Sequence, residues 1–183
     1  MKIWFTSDHH FGHANVIKYC RRPFESLHHM HRVLIDKWNA VVADGDVVYH
    51  LGDFAMGDPA LWFQYCQALH GTKILIRGNH DRGVGRMRAV GFAEVYNNVV
   101  IEVAGIRVWM NHYPLDTQGH RPAAPSAFDI ALCGHVHQRW LVHGGCVNVG
   151  VDVWNFTPTG ILELMRVRQE AMTSVSESES TPT

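Results

Sequence analysis

Lys73-Ile74-Leu75-Ile76-Arg77-Gly78-Asn79-His80-Asp81 decides the fold. A short apolar run stops at a glycine and then delivers an amide, an imidazole and a carboxylate. The first half is what a buried strand of an α/β protein looks like. The second half has the residue types of a binding or catalytic edge, because open parallel sheets bind ligands at the carboxyl ends of their strands. The same order recurs four times. Ile3–Ser7 ends in Asp8-His9-His10, and Val47–Leu51 ends in Gly52-Asp53. Ile106–Met110 ends in Asn111-His112, and Ile130–Cys133 ends in Gly134-His135-Val136-His137. Side by side, five such strands would gather their polar ends on one rim.

The intervening segments supply the helices. From Ser26, the residues Leu27, Met30, Leu34, Trp38 and Val41 recur at three- and four-residue steps and predict a helix against the sheet. Asp58 as cap and Pro59 at the first position open another helix, with Leu61, Trp62, Tyr65 and Leu69 as its buried stripe. Residues 1–81 therefore read strand–helix–strand–helix–strand, which implies parallel pairing. The second half changes character. Val99–Val103 and Ile106–Met110 flank Ala104-Gly105 as an antiparallel hairpin. Short strands are expected near Ile130–Cys133, Trp140–Val142, Cys146–Val149 and Ile161–Val167. Gly119–Ser126, with Pro122 and Pro125, reads as a loop bordering a site. One domain over residues 1–168 is expected, followed by a disordered Ser/Thr/Glu-rich tail over 169–183.

Composition bounds the function. A net charge of -1 among 183 residues gives no global attraction to nucleic acid or to an anionic membrane, so phosphate recognition must be local. No apolar run reaches membrane-spanning length. The four cysteines show no CxxC spacing, no secretory leader is evident, and a reduced cytoplasmic setting is expected. The fourteen histidines point to metal chemistry.

In an extended segment, residues two apart point the same way, so Asp8 and His10 can reach one ion while His9 turns aside. His135 and His137 repeat that spacing. With Asp53, Asn79 and His112 they make seven nitrogen and oxygen donors and no thiolate, a set suited to Mn, Fe, Ni, Co or Zn. Seven donors exceed one ion but suit two that share Asp53. Two divalent ions give about +4, two carboxylates remove about 2 and a bridging hydroxide about 1, leaving a centre that attracts anions. Hydrolysis of a phosphate ester by that hydroxide follows as the reaction class. His80 is left to donate a proton to the leaving oxygen or to bind phosphoryl oxygens.

Asp8-x-His10, Gly52-Asp53, Gly78-Asn79-His80-Asp81, His112 and Gly134-His135-x-His137 resemble, in order, the five motifs of the calcineurin-like metallophosphoesterases. The resemblance covers about residues 1–165. It implies two packed mixed β-sheets flanked by helices, a β-sandwich of α/β class. It implies that Asp8, His10, Asp53 and His137 hold one metal, that Asp53, Asn79, His112 and His135 hold the other, and that His80 is catalytic. Phe11-Gly12-His13-Ala14-Asn15 and Val149–Trp154 look like a compact, cap-less bacterial or phage branch. The stretch Phe54-Ala55-Met56-Gly57 departs from the Ser/Thr protein phosphatases, which carry an aspartate there followed by Arg-Gly. A protein phosphatase is therefore disfavoured.

The leading expectation is a phosphodiesterase that uses two divalent transition-metal ions, Mn first, on a phosphate ester, a nucleotide or nucleic acid. A nuclease acting on single strands is the enzymatic alternative. A protein-interaction scaffold is the non-catalytic one, as in those relatives that have lost catalytic residues. Arg77, Arg82, Arg86 and Arg88 make a basic segment beside the site, able to grip a second phosphate or to form a solvated helix. His13, Asn15 and His50 are expected near the donors, and His28, His29 and His31 on a solvated helix face.

Overall fold

The computed structural model describes residues 1–115 and 128–179. Ten strands and five helices follow in chain order: β1 (Ile3–Thr6), α1 (Ala14–Tyr19), α2 (Leu27–Val41), β2 (Val47–His50), α3 (Pro59–Gln67), β3 (Thr72–Ile76), α4 (Val84–Val90) and β4 (Glu94–Tyr96). Then come β5 (Asn98–Val103), β6 (Ile106–Asn111), β7 (Ile130–Cys133), β8 (Val142–His143), β9 (Cys146–Asn148), β10 (Thr159–Gly160) and α5 (Ile161–Glu179). The strands form two five-stranded mixed sheets, ordered β10-β1-β2-β3-β4 and β5-β6-β7-β9-β8.

The first sheet is parallel from β1 to β4, as the alternation of strand and helix requires. Its two faces alternate along each strand. Val48 and Leu75 face Met30, Leu34, Trp38 and Trp62 of the helices. Phe5, Leu51 and Ile76 face Met110, Leu132 and Val147 of the second sheet. Both faces are thus covered, which is why these strands are nearly continuous apolar runs. Ser26 caps α2 by accepting from the His29 amide at 3.1 Å, and Asp58 caps α3 by accepting from the Ala60 amide at 2.9 Å. Ala104 and Gly105, both at positive φ, close the β5–β6 hairpin as a two-residue turn.

Register sets the rim. Thr6 lies opposite His50, and His50 opposite Leu75, so the residues after β1, β2 and β3 emerge level. In the second sheet Met110 pairs with Leu132 and Cys133 with Asn148, which brings the ends of β6, β7 and β9 level in turn. A parallel bridge between Ser7 and Gly150 joins the two rims.

Three expectations need correction. Ile161–Val167 is the start of α5, not a strand. Ile161, Leu164 and Val167 are buried at three-residue steps while Leu162 is 75% exposed, a helical period that a short apolar run did not separate from a strand. The same helix carries the backbone of residues 169–179, most of the stretch read as a disordered tail. His31 is half-buried, not solvated: its Nε2 accepts from the Gly12 amide at 2.8 Å and its ring packs on Tyr65. The loop Gly119–Ser126 lies outside the described residues. Among those described, no helix is long and apolar enough to cross a membrane.

Candidate metal centre

The seven donors expected from the sequence come together at the joined rims, although not by the extended geometry that suggested them. Asp8, His10, Asp53, His135 and His137 all have φ between 51° and 70°, in the left-handed region that side chains other than glycine rarely adopt. Strain of this kind persists where the surroundings over-determine it. Here Asp8 N donates to Gly52 O and His10 N to Asp53 O, both at 3.0 Å, tying the β1 turn to the β2 turn. His9, between them, points into the core. It is fully buried against Phe11 and Trp38, and its Nδ1 lies 2.9 Å from His50 Nε2.

Glycines let the turns close. A Cβ on Gly78 would sit 2.3 Å from Asp53 Oδ1, and one on Gly134 2.6 Å from Asp8 Oδ2. Gly52, at φ +92°, would meet His112 Nδ1 at 2.7 Å. Asp81 is a hydrogen-bonding residue. Its carboxylate accepts from the amides of Asp53, Phe54 and Gly78 at 2.9, 3.0 and 2.8 Å, fixing the β2 and β3 turns to each other.

His112 fixes the chemistry. Its Nδ1 lies 2.7 Å from the Leu51 carbonyl oxygen, which only accepts, so Nδ1 carries the hydrogen. Nε2 is left as a lone pair, 3.1 Å from Asn79 Oδ1 and 3.6 Å from Asp53 Oδ2. His10 repeats the pattern: both ring nitrogens are buried without a hydrogen-bond partner, and Nε2 stands 3.5 Å from Asp53 Oδ2 and 4.0 Å from Asp8 Oδ1. Asp8, His10 and His137 form one group of donors within 4.8 Å of one another, and Asp8, Asp53 and His112 a second. The His135 ring is 5.2 Å from the His112 ring, and its amide donates to Asp8 Oδ1 and Oδ2 at 3.2 and 3.1 Å. Such an arrangement of buried carboxylates and imidazole nitrogens fits divalent cations.

The electrostatics agree. Burial pushes the Asp8 carboxyl above the usual range, against the pull of His112 and His137. Burial, together with the charges of His137 and Arg22, holds His10 far below the ordinary imidazole value and so neutral. His137 goes the other way. Burial lowers it, but its hydrogen bond to Asp152, a contact with Cys20 and the Asp8 charge outweigh that and push it up to about 10.

His80 reaches the centre from the side. Its amide donates to Asp53 Oδ1 at 2.9 Å, its Nε2 is 3.9 Å from Asp53 Oδ2, and its side chain is 38% exposed. It lines a cleft of about 380 Å³ together with His13, Tyr19, Gln138 and Arg139. A second cleft is lined by Asn79 together with Arg77, Asn97, Asn98, Asn111 and Tyr113. The basic segment therefore divides. Arg77 borders the centre, whereas Arg82, lying over Trp62, and Arg86 line a separate groove. His50 is buried as the partner of His9. Sequence reasoning passed over Arg22 and the role of Asp152, which hold the centre from behind. The only signal for them was the Val149–Trp154 phrase, because Arg22 and Asp152 are 130 positions apart.

Comparison with known proteins places the chain in context. A model of the calcineurin-like phosphoesterase superfamily domain matches residues 1–158. An uncharacterised protein of Methanocaldococcus jannaschii is 32% identical over 179 residues, covering 87% of each chain. The gene 66 protein of Mycobacterium phage D29 is 31% identical over 187 residues, covering 84% of this chain and 89% of its own. Among solved structures, a protein of unknown function from Aquifex aeolicus superposes with a TM-score of 0.70 at 28% identity, over 90% of this chain and 98% of its own.

Proposed function

The chain belongs to the calcineurin-like phosphoesterase superfamily, and on that premise we propose that it is a metal-dependent hydrolase that cleaves phosphodiesters at a two-ion centre. The observation that carries this reading is the Asp53 carboxylate, one oxygen of which faces His10 Nε2 at 3.5 Å and His112 Nε2 at 3.6 Å. That placement suits a carboxylate shared between two cations. Asp8, His10 and His137 would complete one set with Asp53, and Asn79, His112 and His135 the other. When bound, the ions supply Lewis acidity and lower the pKa of water towards neutrality.

The protein groups then do the following. Asp53 and Asp8 set the spacing of the charge that attracts an anionic ester. Leu51 O keeps the His112 lone pair directed inward. His80, exposed to the cleft yet anchored through its amide, is placed to meet the oxygen of a departing group and to give it a proton. Arg139 and Gln138 at the cleft mouth offer donors to the substrate's flanking portion. Two clefts border the donor set, one lined by Arg139 and another by Arg77, which favours an ester with two substituents over a terminal monoester.

The test compares a chromogenic phosphodiester with the matching monoester in Mn²⁺. Diester turnover should exceed monoester turnover, and preference for the monoester would overturn the substrate class. Asp53→Asn should abolish turnover and the pairing of ions. His80→Ala should retain both ions and lose rate by roughly 10²- to 10⁴-fold. Hydrolysis at wild-type rate by both variants would refute the two roles. Arg77 and Arg139, one in each cleft, also favour a second reading, single-stranded nucleic acid as the diester. Activity on oligonucleotides that falls steeply with added salt would support it, and flat salt dependence would remove it.

A further inference from the structure

Arg22 and Asp152 are not donors of either set, yet the guanidinium and the carboxylate bind each other and the turn and ring that carry three of the donors. Arg22 is 4% exposed. Its Nε donates to Asp152 Oδ1 at 2.7 Å and its Nη2 to Asp152 Oδ2 at 2.9 Å. Nη2 also reaches Asp8 O at 2.6 Å, and Nη1 reaches His9 O at 2.9 Å. Those two carbonyls belong to the left-handed turn that carries Asp8 and His10. Asp152 Oδ2 in turn lies 2.8 Å from His137 Nδ1.

The chemistry of that last contact is constrained. A carboxylate held by a bidentate guanidinium is ionised and can only accept. His137 Nδ1 therefore carries a hydrogen, and Nε2 is the nitrogen left to give a lone pair to a cation. The His137 ring stacks on that of His10 at 5.1 Å, so its free edge faces the same donors.

We propose that Arg22 and Asp152 form a positioning unit that fixes the tautomer and direction of His137 for one of the two ions and locks the Asp8–His10 turn to it. Carboxylate support of this kind raises the basicity of a ligating histidine and fixes its ring. A buried ion pair kept only for stability is weakly favoured, since apolar side chains of similar volume often serve as well. This pair has a reason to persist that packing would not supply. Cys20 lies in the same cluster with His137 and Asp152. A third cation there would have to take Asp152 from the Arg22 guanidinium, so the cluster is support for the centre and not another metal site.

The inference rests on the two-ion reading, and the test separates the failure of one from the failure of the other. Full-length protein stripped of metal is titrated calorimetrically with Mn²⁺, and the imidazole nitrogens are observed by ¹⁵N NMR. Wild type should bind two ions, with His137 Nδ1 protonated. Asp152→Asn should weaken one of the two binding steps about 10- to 100-fold and leave the other unchanged. His137→Ala should lose the same step, and adding Asp152→Asn to it should change nothing more. A wild type that takes up no Mn²⁺ overturns both readings. Wild-type affinity in Asp152→Asn, or an undiminished effect in the His137→Ala background, overturns only the positioning role. Should Asp152→Asn not fold, the NMR of the wild type decides, and an unprotonated His137 Nδ1 refutes the inference.

Discussion

A single methyl group added at Gly78 should disable this protein without unfolding it. The Cβ of an alanine there would lie 2.3 Å from Asp53 Oδ1, 2.7 Å from Asp53 N and 2.9 Å from His112 Cε1. An ordinary carbon–oxygen contact is about 3.5 Å, so the carboxylate must retreat by roughly 1 Å. The retreat is obstructed, because Asp53 Oδ1 already accepts from His80 N and the Asp53 amide is bound to Asp81. Misplacement by about 1 Å in a pre-organised site costs on the order of 10²-fold in rate. Overpacking of this kind costs about 1–3 kcal/mol of stability, less than the whole of a typical domain's. The assay is kcat on a chromogenic diester in saturating Mn²⁺, paired with urea unfolding of the same preparation. Gly85→Ala is the control: nothing lies within 4 Å of that Cβ in α4, and the helix should gain about 0.5–1 kcal/mol with activity kept. A Gly78→Ala enzyme working within threefold of wild type would refute the claim that close packing around Asp53 sets the centre.

Acid should weaken the fold through the buried His9–His50 pair. Burial holds His50 down to about 3, and burial together with the His50, Arg22 and His10 charges holds His9 well below its ordinary value. Below about 6.5 the unfolded chain takes up protons that the folded one refuses, so stability declines as pH falls from about 6.5 towards 3, by up to roughly 1.4 kcal/mol per unit for each ring. Metal-free unfolding curves at pH 7.5 and 5.5 should show that loss shrinking by about 1 kcal/mol in His50→Gln; an unchanged difference would contradict it. Trp38→Phe should cost about 1–3 kcal/mol, because the fully buried indole leaves unfilled volume in the core and its Nε1 bond to the His70 carbonyl at 3.0 Å is lost. A shift in the urea midpoint corresponding to less than 0.5 kcal/mol, with an unchanged slope, would argue against it.

Much of the architecture was legible because burial on both faces leaves a plain mark. Val47–Leu51 and Lys73–Ile76 read as strands for the reason that they are sandwiched between helices and a second sheet. That the seven candidate residues meet on one rim was legible because each follows such a run. Their backbone was not. Asp8 and His10 reach the centre from left-handed turns, held by hydrogen bonds from their amides to the Gly52 and Asp53 carbonyls that no local pattern announces. α5 was hidden by a run too short to separate a period of two from one of 3.6. Arg22 and Asp152 were hidden by distance along the chain, since only the fold shows that they meet.

Asp8, His10, Asp53 and Asn79 are delivered by the first sheet, and His112, His135 and His137 by the second, with Ser7 and Gly150 bridging the seam. Neither sheet carries all seven; the chain passes between the sheets again from β9 to β10, and Asn97 joins β4 to β5. Chelation would thus act as a clasp between two subassemblies, and ion uptake would report whether they have docked. Fragments severed at that link would regain cation binding only on reassociation, which makes the centre a built-in sensor of its own assembly.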